Sequence, residues 1–250
     1  LPVFERVQAK RKAILAAGIV ALPGVGFDVV PTDCLAAMLK ARLPDADRLV
    51  LGIKIQGKVS RGSAKTLIQA MAAGGVVRRG GALVMVPFAA STRRIDFGDG
   101  GPERCVQLPW ADVSTAYRST GIPDIEVFYA ASRAAAFFFR SAAARALLGR
   151  EWGRDLARRA VEALFKEETE SGRAAGYCVA WGEVANPSGA VVRMRARTPE
   201  GYVLTADAAL AATLRVLEGR VAPGPWTPAQ AFGPDFLLEL AGVTVEEAVE

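Results

Sequence analysis

The sequence predicts a chain of the α/β plus α+β class: the terminal piece of a Rossmann-like parallel sheet, then a mixed or antiparallel sheet domain with flanking helices. Three observations carry this. A helix-like segment, a glycine and a short apolar strand open the chain, the rhythm of a parallel α/β unit. Short strands bounded by Gly and Pro dominate the middle. Two facing strands with one apolar and one polar side read as an antiparallel pair. The predicted divisions are residues 1–45 for the parallel α/β piece, 46–219 for the antiparallel α+β domain, and 220–250 for a connector and C-terminal helix.

In order, residues 3–17 place Arg6, Lys10 and Arg11 opposite Val7 and Ile14, an amphipathic helix stopped by Gly18. Ile19 to Leu22 is a continuous apolar run, expected as a strand buried on both faces. Thr32 or Asp33 is expected to cap a helix carrying Leu35, Met38, Leu39 and Leu43, closed by Pro44. Leu49 to Ile55 reads as a strand, and Ser63 as the cap of a helix ending at Gly74-Gly75. Strands follow at residues 83–86, 94–97, 105–108 and 125–129, then a helical pattern from Ala134 to Ser171 with a stripe of Trp152, Leu156, Ala160 and Leu164. Tyr177, Val179 and Trp181 alternate on one strand. Val192, Met194 and Ala196 alternate with Arg193, Arg195 and Arg197 on the next, across an Asn186-Pro187-Ser188-Gly189 turn. Tyr202 to Thr205 reads as a strand, followed by a helix to Leu217, a Pro/Gly-rich connector over residues 221–228 and a last helical segment.

Composition removes whole chemistries. The 250 residues contain no histidine, which excludes Ser–His–Asp and Cys–His nucleophile systems and disfavours the usual zinc sites, so no metal is expected. Proton transfer falls to Lys, Tyr, Asp, Glu, Cys or water. Three widely spaced cysteines form no disulfide or metal framework, which points to a reducing, cytoplasmic setting. The net charge of +5 is scattered rather than clustered, so nucleic acid is not an expected partner, and no apolar run is long enough to span a bilayer.

Two glycine motifs nearly match nucleotide fingerprints. Gly24-Val25-Gly26 follows a strand, but Val29 stands where the dinucleotide pattern needs its third glycine. Gly57 and Gly62 have P-loop spacing, yet Lys65-Thr66 fall two places late. What remains there is a helix N-terminus with Ser60, Ser63, Lys65 and Thr66, readable equally as an anion site or as ordinary capping.

Gly26-Phe27-Asp28-Val29-Val30-Pro31-Thr32-Asp33 resembles a G-F-D-S-[IV]-P-S-D signature of the saccharopine dehydrogenase-like family, which includes bacterial trans-acting enoyl reductases. Val29 and Thr32 depart from it. Gly62 to Thr66, Pro109 to Tyr117, Ser119 to Pro123 and Thr227 to Gly233 resemble the second domain of that group, so the resemblance covers nearly the whole chain. It implies an NAD(P)-dependent oxidoreductase acting on a small amino-acid-like or acyl substrate. It also implies a Rossmann domain ahead of residue 1 that carries most of the NAD or NADP contacts, and a homodimer. On this basis Gly26, Phe27, Asp28 and Pro31 are candidate cofactor-binding residues, and Tyr117 and Lys65 the candidate acids. Ser63, Thr66, Trp110 and Thr120 are candidate substrate contacts. The alternative is a non-catalytic ligand-binding or dimerisation domain that shares only the scaffold.

Overall fold

The computed structural model of the chain describes residues 2–57, 60–164 and 176–248. Two short helices, α1 (Pro2–Ala9) and α2 (Arg11–Ala16), replace the single helix expected at the start, because the chain turns at Lys10. Strand β1 (Val20–Ala21) is two residues long and only half-buried, not the fully buried strand its apolar run suggests. It pairs in parallel with β10 (Gly224–Pro225), so residues more than 200 apart close a small two-stranded sheet.

The larger sheet has nine strands. Its main path runs β11 (Thr244–Glu247), β9 (Val191–Pro199), β8 (Tyr177–Ala185), β2 (Arg48–Gln56), β7 (Asp124–Ala130), β3 (Gly75–Arg79) and β4 (Ala82–Val86). Strands β2 and β7 are parallel and the other neighbours antiparallel, so the sheet is mixed. The hairpin β5 (Thr92–Asp96) and β6 (Pro102–Gln107) joins through β6 at the carboxyl end of β7. It brings Ile95 and Phe97 over Phe128, Val179 and Trp181, covering one face. The arginine stripe of β9 lies on this face but is paired rather than free: Arg193 bonds Glu183 at 2.6 Å and Arg195 bonds Glu246 at 2.5 Å.

The other face carries the main core. Helix α3 (Val30–Arg42) crosses it, burying Leu35 and Leu39 completely. Each such leucine contributes about 2 kcal/mol. Gly182 of β8 makes the approach possible, since a Cβ there would lie 2.5 Å from Leu39 Cδ1. The helix starts at Val30 with Val29 as its N-cap and Pro31 in its first turn, three or four residues earlier than a cap at Thr32 or Asp33 implies, because proline's fixed φ suits that turn. Helix α5 (Asp112–Thr120) packs beside α3, and α10 (Pro228–Phe232) with a 3-10 turn (Pro234–Glu239) closes over both.

The remaining helices form an outer cluster: α4 (Arg61–Ala73), α6 (Arg133–Arg140), α7 (Ala142–Leu148) and α8 (Glu151–Leu164). The long helical pattern is thus broken at Ser141, which caps α7 through Ala144 N, and at Gly149; its part beyond residue 164 lies outside the described residues. Helix α8 buries Val161 and leaves Trp152 and Leu156 exposed, about 100° of rotation from the stripe read in the sequence. Ser60, not Ser63, caps α4, accepting from Ser63 N at 3.1 Å. Residues 202–205 are not a strand. They lie in α9 (Gly201–Leu217), capped by the Glu200 carboxylate, which accepts from Tyr202 N and Val203 N. Strands β3 and β11 were not foreseen. No helix among the described residues is long and apolar enough to cross a membrane.

Candidate functional site

The turn at residues 24–29 joins the carboxyl end of β1 to the start of α3. Its shape follows from contacts with α9: a Cβ on Gly26 would lie 2.8 Å from Thr205 Cγ2, and Phe27 N donates to Thr205 Oγ1 at 3.0 Å. The Phe27 ring lies against Gly201, and Pro31 is buried. Of the four cofactor candidates, then, Gly26, Phe27 and Pro31 build the turn, while Asp28 is the one open to solvent. Although exposed, Asp28 is hemmed by enough protein that desolvation holds its carboxyl above the ordinary value.

Trp110 ties this turn to the large sheet. Its Nε1 donates to Asp28 O at 2.8 Å, and its ring stacks on Tyr129 with centroids 6.4 Å apart. Tyr129 stands near the carboxyl end of β7, where parallel strands present ligands in open α/β sheets. Burial pushes its phenol up to about 12, so it keeps its proton at neutral pH and can donate a hydrogen bond. The Trp110 indole therefore links the Asp28 backbone to the Tyr129 ring, while the Asp28 side chain stays exposed.

Beneath it lies a buried polar network. Asp33 accepts from Ser119 Oγ at 2.6 Å and from Ala229 N at 2.9 Å, and Ser119 bonds Thr227 Oγ1 at 2.6 Å. Asp33 thus serves the start of α10, not of its own helix, and joins α3, α5 and α10. Burial raises its carboxyl in spite of these donors. Asp112 is also fully buried, with one oxygen unpartnered among the described residues. Burial, and then the neighbouring Asp33, push it well above the carboxylate range.

The other candidates lie elsewhere. Tyr117 packs beneath Arg78, whose Cζ is 3.9 Å from its ring centroid, with its hydroxyl against Gly81. Lys65 bonds Glu162 at 2.7 Å on the exposed α4–α8 seam. The structure does not bring these two together. Ser63 and Thr66 are exposed on α4, the latter bonded back to Gly62 O, and Thr120 closes the end of α5 through Ile122 N. The sequence reading missed Tyr129, Thr205, Ser119 and Thr227 as members of this region. Tyr129 was detectable from its place near the end of a predicted strand.

No protein-family model and no curated protein matches the sequence. Solved structures do. The L-glutamate-forming saccharopine dehydrogenase of Saccharomyces cerevisiae, in its apo form, superposes with a TM-score of 0.63 over 96% of this chain and 77% of that one, at 10% identity. The fold is that of saccharopine dehydrogenase. The homospermidine synthase of Legionella pneumophila, solved in complex with NAD, superposes with a TM-score of 0.55 over 92% of this chain at 12% identity. This chain spans 64% of the synthase's length. The small parallel pair, the mixed sheet and the flanking helices thus belong to a saccharopine dehydrogenase-like fold.

Proposed function

We propose that this chain is part of a cytoplasmic NAD(P)-dependent oxidoreductase of the saccharopine dehydrogenase-like family, acting on a small amino-acid-like or acyl substrate. The observation that carries it is the Trp110 bond to Asp28 O. It fixes the motif turn beside Tyr129, at the carboxyl ends of the parallel strands where such folds receive ligands. The region suits a nicotinamide ring: a flat indole, an adjacent phenol and one exposed carboxylate, with the turn backbone held by Thr205. The cofactor, when bound, supplies a hydride. This chain contributes position: Asp28 orients a polar group at the rim, Trp110 holds the turn, and Tyr129 offers a proton donor in a chain without histidine. Tyr129 takes the role the sequence reading gave to Tyr117.

The test uses the natural protein. Nicotinamide oxidation is followed with amino-acid and 2-oxo-acid pairs, and separately with 2-enoyl thioesters, in wild type, Tyr129→Phe and Asp28→Asn. Turnover with one substrate class, and a kcat reduced at least tenfold in Tyr129→Phe at unchanged melting temperature, is expected for a lost proton donor. Turnover untouched by both variants would place the chemistry elsewhere. A protein inert with both classes would favour the non-catalytic scaffold reading.

A further inference from the structure

A cavity of about 450 Å³ opens beyond the carboxyl ends of β2 and β7, bounded by Lys54 to Gln56, by Pro102 to Arg104 with Arg94, and by Ala130 to Arg133. Its charge is one-sided. Its lining includes Lys54, Arg94, Arg104 and Arg133 but a single carboxylate, Glu103, which Lys54 already holds together with Asp99. Arg94 and Arg104 are direct partners across the β5–β6 hairpin. Residues so paired carry their Cβ atoms about 5 Å apart on one face, and like charges there destabilise the hairpin. Arg94 donates to Pro102 O at 2.8 Å, which holds its guanidinium without neutralising it. Neither Arg104 nor Arg133 has a carboxylate partner among the described residues, whereas Arg79, Arg93, Arg193 and Arg195 all do. Uncompensated repulsion at one cavity, in a chain that gives most of its other sheet arginines a carboxylate and stacks Arg197 on Tyr177, is the kind of local conflict that functional sites retain.

We propose that this cavity binds a small polyanion carrying at least two carboxylate or phosphate groups, gripped by the guanidinium groups of Arg94, Arg104 and Arg133. Planar guanidinium forks match both oxyanions bidentately. One charge would leave two of the three arginines opposed; two charges leave one arginine with no like charge against it, and three match them all. The ligand replaces the missing carboxylates, so it binds the folded chain and not the unfolded one. This inference stands independently of the oxidoreductase reading.

Melting temperature and calorimetric binding are measured with citrate and with pyrophosphate, each against sodium chloride of equal ionic strength to remove general screening. Wild type is expected to melt higher with at least one polyanion than in matched salt. A response to citrate alone identifies carboxylates, and a response to pyrophosphate alone identifies phosphates. Arg104→Gln is expected to weaken binding at least tenfold while its ligand-free melting temperature stays level or rises, because the cross-strand repulsion is gone. Arg133→Gln lies outside the hairpin and should lose binding with no change in ligand-free melting. Wild type indifferent to both polyanions, or both variants binding as wild type does, would overturn the proposal.

Discussion

At the scale of single residues, Asp112 is the most consequential side chain outside the proposed site. It is fully buried, one oxygen lacks a partner among the described residues, and burial and Asp33 hold its pKa well above the carboxylate range. A neutral, protonated carboxyl is the form that such surroundings accept. Its folded pKa exceeds its unfolded one, so the native state binds the extra proton. Stability from this group is therefore full below the ordinary aspartate value and is lost as pH rises toward the folded pKa. Asp33 works in the same direction. Urea midpoints measured from acid to alkaline pH should show this decline in wild type, and Asp112→Asn should flatten it. An identical pH profile in the variant would mean Asp112 is ionised in the fold. None of this was legible in the sequence, where Asp33 reads as a cap and Asp112 is one residue of the Pro109 to Tyr117 run. Their burial arises because α3, α5 and α10 converge, and one-dimensional spacing does not encode that convergence.

At the scale of elements, the hairpin of β8 and β9 was readable because alternation and an Asn-Pro-Ser-Gly turn agree. Helix α9 was misread at its start because Pro199-Glu200-Gly201 looks like a turn between strands. Glu200 instead supplies the cap, an unusual residue for that position. The β5–β6 hairpin owes its place over the sheet partly to a charged clamp that the sequence did not announce. Lys54 of β2 reaches Asp99 at 2.8 Å and also Glu103, and Tyr177 donates to Asp99 at 2.6 Å. Burial opposes the Lys54 charge, but the two carboxylates outweigh it and hold its pKa above the ordinary lysine value. Burial likewise opposes ionised Asp99, yet Lys54 and Tyr177 hold its carboxyl below its ordinary value. Its contribution is present above the unfolded pKa and is lost as pH falls through the folded one, opposite in sign to Asp112. Lys54→Met keeps the packed stem and takes the ammonium from Asp99, whose side chain is 13% exposed, leaving it the Tyr177 hydroxyl. A loss of about 3 kcal/mol in denaturant unfolding is expected from a broken, mostly buried pair. A loss below about 1 kcal/mol would put the clamp in the class of surface ion pairs.

At the scale of the whole molecule, the two ends of the large sheet differ. Strand β11 is blunted by charge, since Glu246 bonds Arg195 and Glu247 bonds Arg42. Strand β4 is not: Leu83, Val84 and Met85 are all exposed, Met85 at 66%. Natural proteins seldom leave such an edge open, because its unpaired N–H and C=O groups template another strand. The resemblance implies a homodimer, and the sequence adds two reasons for one in the residues after 45: strands that must end in edges, and three successive phenylalanines, Phe137 to Phe139. Of those, Phe139 packs on Phe88, while Phe137 stays 81% exposed and Phe138 half-exposed. Phe138 lines an apolar cleft between α4, α6, α7 and α8, so its exposure belongs to that cluster and not to the sheet edge. We expect a homodimer in which two β4 strands pair antiparallel about a twofold axis. That arrangement is self-complementary, continues the sheet across both chains, and sets Leu83 and Met85 beside partner side chains on one face and Val84 on the other. Sedimentation equilibrium at tens of micromolar should give twice the 26.4 kDa chain mass. Val84→Lys, which adds a gatekeeper charge to the edge, should return a folded monomer. Phe137→Ser should leave the dimer intact. A wild-type monomer would sink the expectation, and a dimer that survives Val84→Lys but not Phe137→Ser would move the interface to the helical cluster.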